Sequence, residues 1–242
     1  MDFEQRRVGP VFRSRKNRVF KIQMDQGMGV AKVYPQDRIE EAQAEFELLK
    51  KCSDLGITVP APIETASNTL VMAYVEGENV ADVVDDMLIR EPVSRTRNDV
   101  RAAPLAQRLG DWLASFHRAF RSEFCRGDTI LRNFLISDDR ICGLDFEEAH
   151  DGDPLQDVGE LCASILGMRP LFGPLNFDLA SNMTSCYWEA LGRNSSDELS
   201  EWIAVGLEHY AKFREDGGVL RDWARRFRSE GLSLLEESVP ES

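Results

Sequence analysis

Between Val19 and Tyr34 the chain alternates apolar and polar residues twice, as VFKIQM at 19–24 and VAKVY at 30–34, with Gln26-Gly27 between the runs and Pro35 after them. Period-two alternation marks a half-buried strand, so the two runs predict a hairpin with Lys32 on its second strand. From Asp37 to Lys51 the period becomes helical: Ile39, Ala42, Phe46 and Leu49 share a stripe, and Gly56 follows the end. Glu45 lies three residues after Ala42 and four before Leu49, so it points along the apolar stripe and needs a cationic partner there. Glu47 takes that place if the helix phase is shifted. Val59-Pro-Ala-Pro reads as a rigid extended connector. Leu70–Val75 reads as a continuous apolar strand stopped by Glu76-Gly77.

After Gly77 the pattern changes. Asn79–Pro104 is charged and poorly periodic, with one helix near Val80–Ile89. Leu105–Phe120 is a strongly amphipathic helix with Leu105, Leu109, Leu113, Phe116 and Phe120 on one stripe. Asn133–Ile136 and Ile141–Phe146 are short apolar strands joined by a turn at Ser137-Asp138-Asp139-Arg140. Beyond Asp157 the pattern is helical, with loops around Gly167–Pro174 and Gly192–Ser196. A strand-rich first third with one helix, a hinge at Tyr74–Gly77 and a helical remainder predict an α+β chain of two lobes. The smaller is β-rich with one helix (residues 1–76) and the larger is helical (77–242). A cleft at such a hinge is where a nucleotide would bind.

The 242 residues suffice for a buried core, and 43% apolar with 29% charged residues suits a globular protein. The first residues, MDFEQRRVGP, contain no apolar secretory core, and the apolar runs are far shorter than a membrane span. Five scattered cysteines form no Cys-x-x-Cys pair, so reduced thiols and a cytoplasmic location are expected. The net charge of −13 argues against DNA or general nucleic-acid binding and would steer a cationic small molecule inward. Residues 1–32 run the other way, with Arg6, Arg7, Arg13, Arg15, Lys16, Arg18, Lys21 and Lys32 against three acids. That basic start either receives phosphates or RNA or is a solvated edge.

Residues 126–148, RGDTILRNFLISDDRICGLDFEE, carry the chemistry. Asp128 stands five positions before Asn133, and Asp145 follows on what reads as the next strand. Phosphoryl transfer from a metal-bound nucleotide needs a carboxylate to orient and deprotonate the acceptor hydroxyl, and an Asn/Asp pair to hold Mg²⁺ against the phosphates. Asp128 is therefore the candidate base, and Asn133 and Asp145 the candidate metal ligands. Taken singly, Asp128 and Asn133 could be turn or cap residues and Asp145 a strand-end carboxylate; together they fit one reaction. Lys32, held by Glu45, is the candidate for the nucleotide phosphates; alone it could be an outward-facing strand lysine. Asp157 either braces the loop of Asp128 or caps a helix. His117, on the stripe of the long helix, reads as a core or loop-bracing residue.

With these residues in hand the chain resembles the protein-kinase-like superfamily, and within it the aminoglycoside phosphotransferase and choline kinase type. Four stretches carry the resemblance: Asn17-Arg-Val-Phe-Lys-Ile, Leu113-Ala-Ser-Phe-His117, Arg126-Gly-Asp-(x₄)-Asn133, and Asp145-Phe-Glu-Glu-Ala followed by Gly152-Asp-Pro and Asp157. They fall within residues 11–168. The resemblance implies that Met72 backs an adenine pocket, that the backbone of Ala73 and Val75 reads the base edge, and that Asn17 contacts phosphate. Three departures stand out. Arg126 replaces a histidine that supports the loop in that family, Glu147 replaces the glycine of Asp-Phe-Gly, and Gly9 is the only glycine before Gly27. Only eleven residues separate Asp145 from Asp157, too few for a peptide-docking activation segment. The segments Ala44–Leu49 and Val71–Gly77 also resemble the small KEOPS-associated atypical kinases.

The expected function is thus an ATP- and Mg²⁺-dependent kinase acting on a hydroxyl of a small, cationic metabolite, with no membrane or DNA partner. The alternative is a KEOPS-type kinase or ATPase that acts with tRNA or a protein partner. A pseudo-enzyme is disfavoured by the intact Lys32, Asp128, Asn133 and Asp145. The acceptor would meet Asn79–Pro104 and the last helices.

Overall fold

In a computed structural model of the chain, residues 3–12, 14, 16–90 and 101–236 are described. Arg13 and Arg15 of the basic start, and residues 91–100 of the expected acceptor region, lie outside them. The chain forms two compact units. The first is Met1–Gly77 together with Cys142–Glu147; the second is Glu78–Ile141 and Glu148–Ser242.

The first unit is an antiparallel sheet of β1 (Arg7–Phe12), β2 (Arg18–Met24), β3 (Gly27–Val33), β4 (Pro62–Ala66) and β5 (Thr69–Ala73), with helix α1 (Ile39–Asp54). The strand order is β1-β2-β3-β5-β4. The predicted hairpin is β2–β3, with Met24 opposite Gly27, so the turn is Asp25-Gln26 rather than Gln26-Gly27. Gly27 instead takes a φ of +119°, which its lack of a side chain permits. Residues Phe20, Ile22, Ala31 and Val71 pack with Phe3 on one face of the sheet. Successive strand residues face opposite sides, and both Ala31 and Lys32 are buried, so both faces are covered at this point.

Two strands of the first unit escaped the sequence reading. Every residue of the edge strand β1 is exposed, so it carries no burial alternation to detect. Strand β4 begins inside the Pro-rich connector. A third difference concerns Asp145: the strand expected over Ile141–Phe146 ends at Gly143. Asp145 lies beyond the strand with φ of 59°, in the left-handed region that Asp tolerates better than most residues.

The second unit begins with β6 (Glu78–Asn79) and α2 (Val80–Arg90). It continues through α3 (Ala102–Ala119), β7 (Phe124–Cys125), β8 (Phe134–Ser137) and the start of β9 (Arg140–Gly143, whose Cys142 and Gly143 belong to the first unit) to β10 (His150–Asp151). Helices α4 (Leu155–Leu166), α5 (Pro174–Leu191), α6 (Glu198–Ala211), α7 (Gly217–Glu230) and α8 (Ser233–Glu236) complete it. The α3 stripe is buried as its spacing requires, with Leu105, Leu109, Leu113 and Phe116 at 2% exposure or less. Each such side chain contributes about 1.5–3 kcal/mol when fully buried. Helix α3 packs on α5, and α4 on α6. Gly159 of α4 permits the second contact, because a Cβ there would lie 2.5 Å from the Trp202 backbone and side chain. Strand β7 pairs with β10, placing Cys125 opposite His150, and the loop that follows β7 is Arg126–Ile130.

Candidate functional site

Lys32 on β3 is 4% exposed, and a set of carboxylates faces its ammonium. Nζ lies 2.8 Å from Glu45 Oε2, 2.5 Å from Asp145 Oδ1 and 3.2 Å from Glu147 Oε2. Glu45 is presented by the buried stripe of α1 between Ala42 and Leu49, as its phase predicted, whereas Glu47 is exposed and bonded to Gln43. Two further donors fix Glu45: Tyr34 donates its hydroxyl to Oε2, and Phe146 N–H donates to Oε1 at 3.0 Å. Burial alone would lower the Lys32 pKa; Glu45, Asp145, Tyr34 and Glu147 outweigh it and hold the ammonium well above its ordinary value.

Three carboxylates thus face one buried ammonium, and the half-exposed Lys16 lies 3.8 Å from Glu147. Oxygens of Glu45, Asp145 and Glu147 lie within 4.8 Å of one another, a grouping that could hold a cation. Glu147 was missed by sequence reasoning, which took it only as a replacement for glycine; no local pattern marks it. Asn17 Nδ2 donates to Glu147 Oε2. Its Oδ1 is buried with no hydrogen-bond partner among the described residues, an acceptor suited to a ligand hydroxyl or cation.

The second group sits on the loop after β7. Gly127 and Thr129 are buried, while Asp128 between them is exposed and has φ of 45°. Gly127 has φ of +67°, and a Cβ there would lie 2.8 Å from the Glu148 carbonyl carbon, so only glycine fits. Left-handed backbone at Asp128 costs of order 1–3 kcal/mol and persists only where its surroundings enforce it. They do so through α4. Asp157 Oδ2 accepts Arg126 N–H at 2.6 Å, and Oδ1 accepts Gly127 N–H at 3.0 Å and the Thr129 hydroxyl at 2.7 Å. Glu160 Oε2 accepts Thr129 N–H at 2.6 Å, and Ser164 Oγ accepts Leu131 N–H at 3.1 Å.

Positions 157, 160 and 164 share one helix face, so a single helix presents a row of acceptors to the loop amides. Asp157 is therefore a loop brace. It is not the helix cap, since Asp153 Oδ1 accepts Leu155 N–H at 2.9 Å at the start of α4. Burial would push the Asp157 carboxyl up; hydrogen bonds from His117, Arg126 N–H and Thr129 outweigh this and hold it below the ordinary range. His117 is fully buried, with Nε2 2.9 Å from Asp157 and Nδ1 3.0 Å from the Tyr187 hydroxyl, the loop-bracing role its position suggested. Asn133 Nδ2 donates to Asp128 O at 2.8 Å and Oδ2 at 2.9 Å, leaving Oδ1 as the amide atom not used in this pair.

Glu160 and Ser164 were also missed, although polar residues at helical spacing on the otherwise apolar α4 are a usable signal. Burial pushes the Glu160 carboxyl up to about 7, with Asp128 adding to the rise and the Thr129 N–H opposing it. A raised value means that folding favours the neutral acid. Its contribution is full below the unfolded value of 4.5 and is lost as pH rises through about 7. Gln keeps an acceptor for Thr129 without the charge. Glu160→Gln is expected to melt like the wild type at about pH 5 and about 2–6 °C higher at about pH 8.5. Equal shifts at both pH values in a calorimetric scan would remove Glu160 from this role.

Of the residues implied for adenine, Met72 and Ala73 lie on β5 and Val75 just beyond it; all are partly buried. Ala73 N–H donates to Ala61 O at 2.8 Å, so only its carbonyl could serve a base. Cys125 and Cys142 are inert by environment: burial pushes each thiol up to about 12. Among the described residues, no helix is long and apolar enough to cross a membrane.

Residues 86–176 match the family described as "Phosphotransferase enzyme family". No curated protein matches the chain by sequence. The macrolide 2′-phosphotransferase of Brachybacterium faecium superposes with a TM-score of 0.57 at 17% identity, over 88% of this chain and 89% of that one. A choline/ethanolamine kinase family protein of Mesorhizobium loti gives 0.56 at 14% identity, over 95% and 89%. An amicoumacin kinase in complex with AMP-PNP, Ca²⁺ and Ami gives 0.53 at 10%, over 93% and 89%. The chain therefore shares the fold of these phosphotransferase and kinase structures, and its residues 86–176 match the model of the phosphotransferase enzyme family.

Proposed function

We propose that this protein is an ATP-dependent phosphotransferase that moves the γ-phosphoryl group to a hydroxyl of a small, cationic molecule. The observation that carries this reading is the exposed Asp128 carboxylate on a loop otherwise buried and braced at its amides, paired with Asn133. A carboxylate so held can take a hydroxyl proton as the oxygen attacks phosphorus and the bond to the ADP oxygen breaks. Each unit by itself offers oxygens suited to a hard divalent cation, Asn133 Oδ1 in the second and the Glu45, Asp145 and Glu147 carboxylates in the first, and Mg²⁺ needs few protein ligands. Such a cation, when bound, neutralises charge on the phosphate oxygens. Lys32, oriented by Glu45, would hold phosphate oxygens, and Met72, Ala73 and Val75 would receive the base. The net charge of −13 supports a cationic acceptor.

The test is incubation of purified protein with Mg-ATP and a panel of amino- and hydroxyl-bearing metabolites and antibiotics, with mass-spectrometric search for phosphorylated product. A product supports the reading. Turnover that demands tRNA or a protein partner replaces it with the RNA-associated kinase, and nucleotide binding with no turnover replaces it with a pseudo-enzyme.

Asp145→Asn is expected to weaken Mg²⁺-dependent nucleotide binding by about 10–100-fold. Titration with a fluorescent nucleotide, with and without Mg²⁺, measures this. An unchanged Mg²⁺ dependence removes Asp145 from the metal.

A further inference from the structure

Helix α4 holds the amide side of the Asp128 loop. The carbonyl side is held by Arg126, with the Asn133 side-chain amide also donating to Asp128 O. Its side chain is fully buried, at 0% exposure. Nη1 donates to Gly127 O at 3.0 Å and to Asp128 O at 2.8 Å, and Nη2 donates to Asn133 O at 3.3 Å. The guanidinium lies 4.9 Å from the centre of the Phe134 ring, which fixes its plane. One rigid cation therefore joins the peptide of Asp128 to that of Asn133, five residues on. Guanidinium suits this task because its five donors lie in a fixed planar fork. An ammonium is a point donor on a flexible stem and cannot hold three carbonyls at set spacing. The charge of Arg126 is felt at Glu160 on the amide side, whose pKa it lowers against the larger effect of burial.

We propose that Arg126 is a positioning residue for phosphoryl transfer: by clamping these carbonyls it sets the separation of Asp128 from Asn133. The proposal rests on the phosphotransferase reading above and assigns Arg126 no contact with substrate. Misplacement of a reacting group by about 1 Å costs about 10²-fold in rate. Ground-state binding of nucleotide need not change.

The experiment compares wild type, Arg126→Met and Arg126→Lys by two readouts. The first, made without turnover, is hydrogen exchange at Ile130 and Asn133. Their amides bond to Asp128 O and Ile130 O, each at 2.9 Å, inside the clamped loop. The second is steady-state kinetics, with kcat normalised to the fraction that binds nucleotide. Arg126→Met is expected to speed exchange at both amides, with distant helices unchanged. Its kcat should fall by about 10²-fold and its KM for ATP should stay within about threefold. Arg126→Lys should recover part of kcat.

Unchanged exchange at Ile130 and Asn133 overturns the clamp, whether or not the protein turns over. Faster exchange with wild-type kcat overturns the positioning role. So does a loss in which kcat, nucleotide affinity and melting temperature fall together, since that marks a purely structural residue. A wild type that protects the loop yet phosphorylates nothing is instead a failure of the functional reading.

Discussion

The Asp128→Asn variant is expected to bind Mg-ATP like the wild type and to transfer phosphate about 10²–10⁴-fold more slowly, the usual worth of a positioned general base. The substitution isolates the chemistry because everything else about the position survives it. Asn is nearly isosteric with Asp and tolerates left-handed backbone as well as Asp does, so the φ of 45° adds no new strain. Its side-chain oxygen can still accept from Asn133 Nδ2. The loop braces from Asp157, Glu160 and Ser164 act on the amides of residues 126, 127, 129 and 131 and do not involve the Asp128 carboxylate. What Asn cannot do is take a proton from a hydroxyl. Single-turnover transfer, nucleotide titration and a melting curve on the same preparation check all three parts. Wild-type transfer by this variant would end the assignment of Asp128 as base.

Lys32→Met has the largest expected effect on stability. The ammonium compensates the carboxylates of Glu45, Asp145 and Glu147, and the Glu45 and Glu147 side chains are only 1% and 7% exposed. Removing one partner of a buried ion pair costs about 3–5 kcal/mol, because the remaining charge is stranded away from water. In a protein of this size that corresponds to about 6–20 °C in melting temperature. Met fills the space of the lysine stem, so the loss reports charge rather than a cavity. The Lys32 pKa is raised in the fold, so its contribution is present below the unfolded value of 10.5 and is lost only as pH rises through the higher folded value. The deficit of the variant should therefore persist across neutral pH. A second change, Glu147→Gln, should restore part of it, since one stranded carboxylate is then gone. Additivity of the two changes in denaturant melts would show that Lys32 and Glu147 do not interact.

Much of the first unit was legible along the chain. A two-residue period places Lys32 on a strand, and a three-and-four spacing from Ala42 and Leu49 turns Glu45 into the apolar face of α1. Both rules depend only on local geometry, and both residues are buried where the rules put them. The edge strand β1 was illegible for the complementary reason: with all its residues exposed, no burial pattern is written into it. Asp145 was placed on a strand because Ile141–Phe146 is apolar, yet the strand stops at Gly143 and the next residues belong to the first unit. No rule of periodicity says to which of two units a six-residue segment will be joined.

The order of residue types along the chain determined the elements and the spacing of Asp128 from Asn133, because these follow from backbone period and covalent distance. Only the tertiary structure decided which side chains meet. Glu147 and Asp145 reach Lys32 across more than a hundred residues, and α4 lends Asp157, Glu160 and Ser164 to amides some thirty positions earlier. Contacts of that kind arise from packing two elements face to face, and packing selects partners by shape and charge rather than by nearness in sequence.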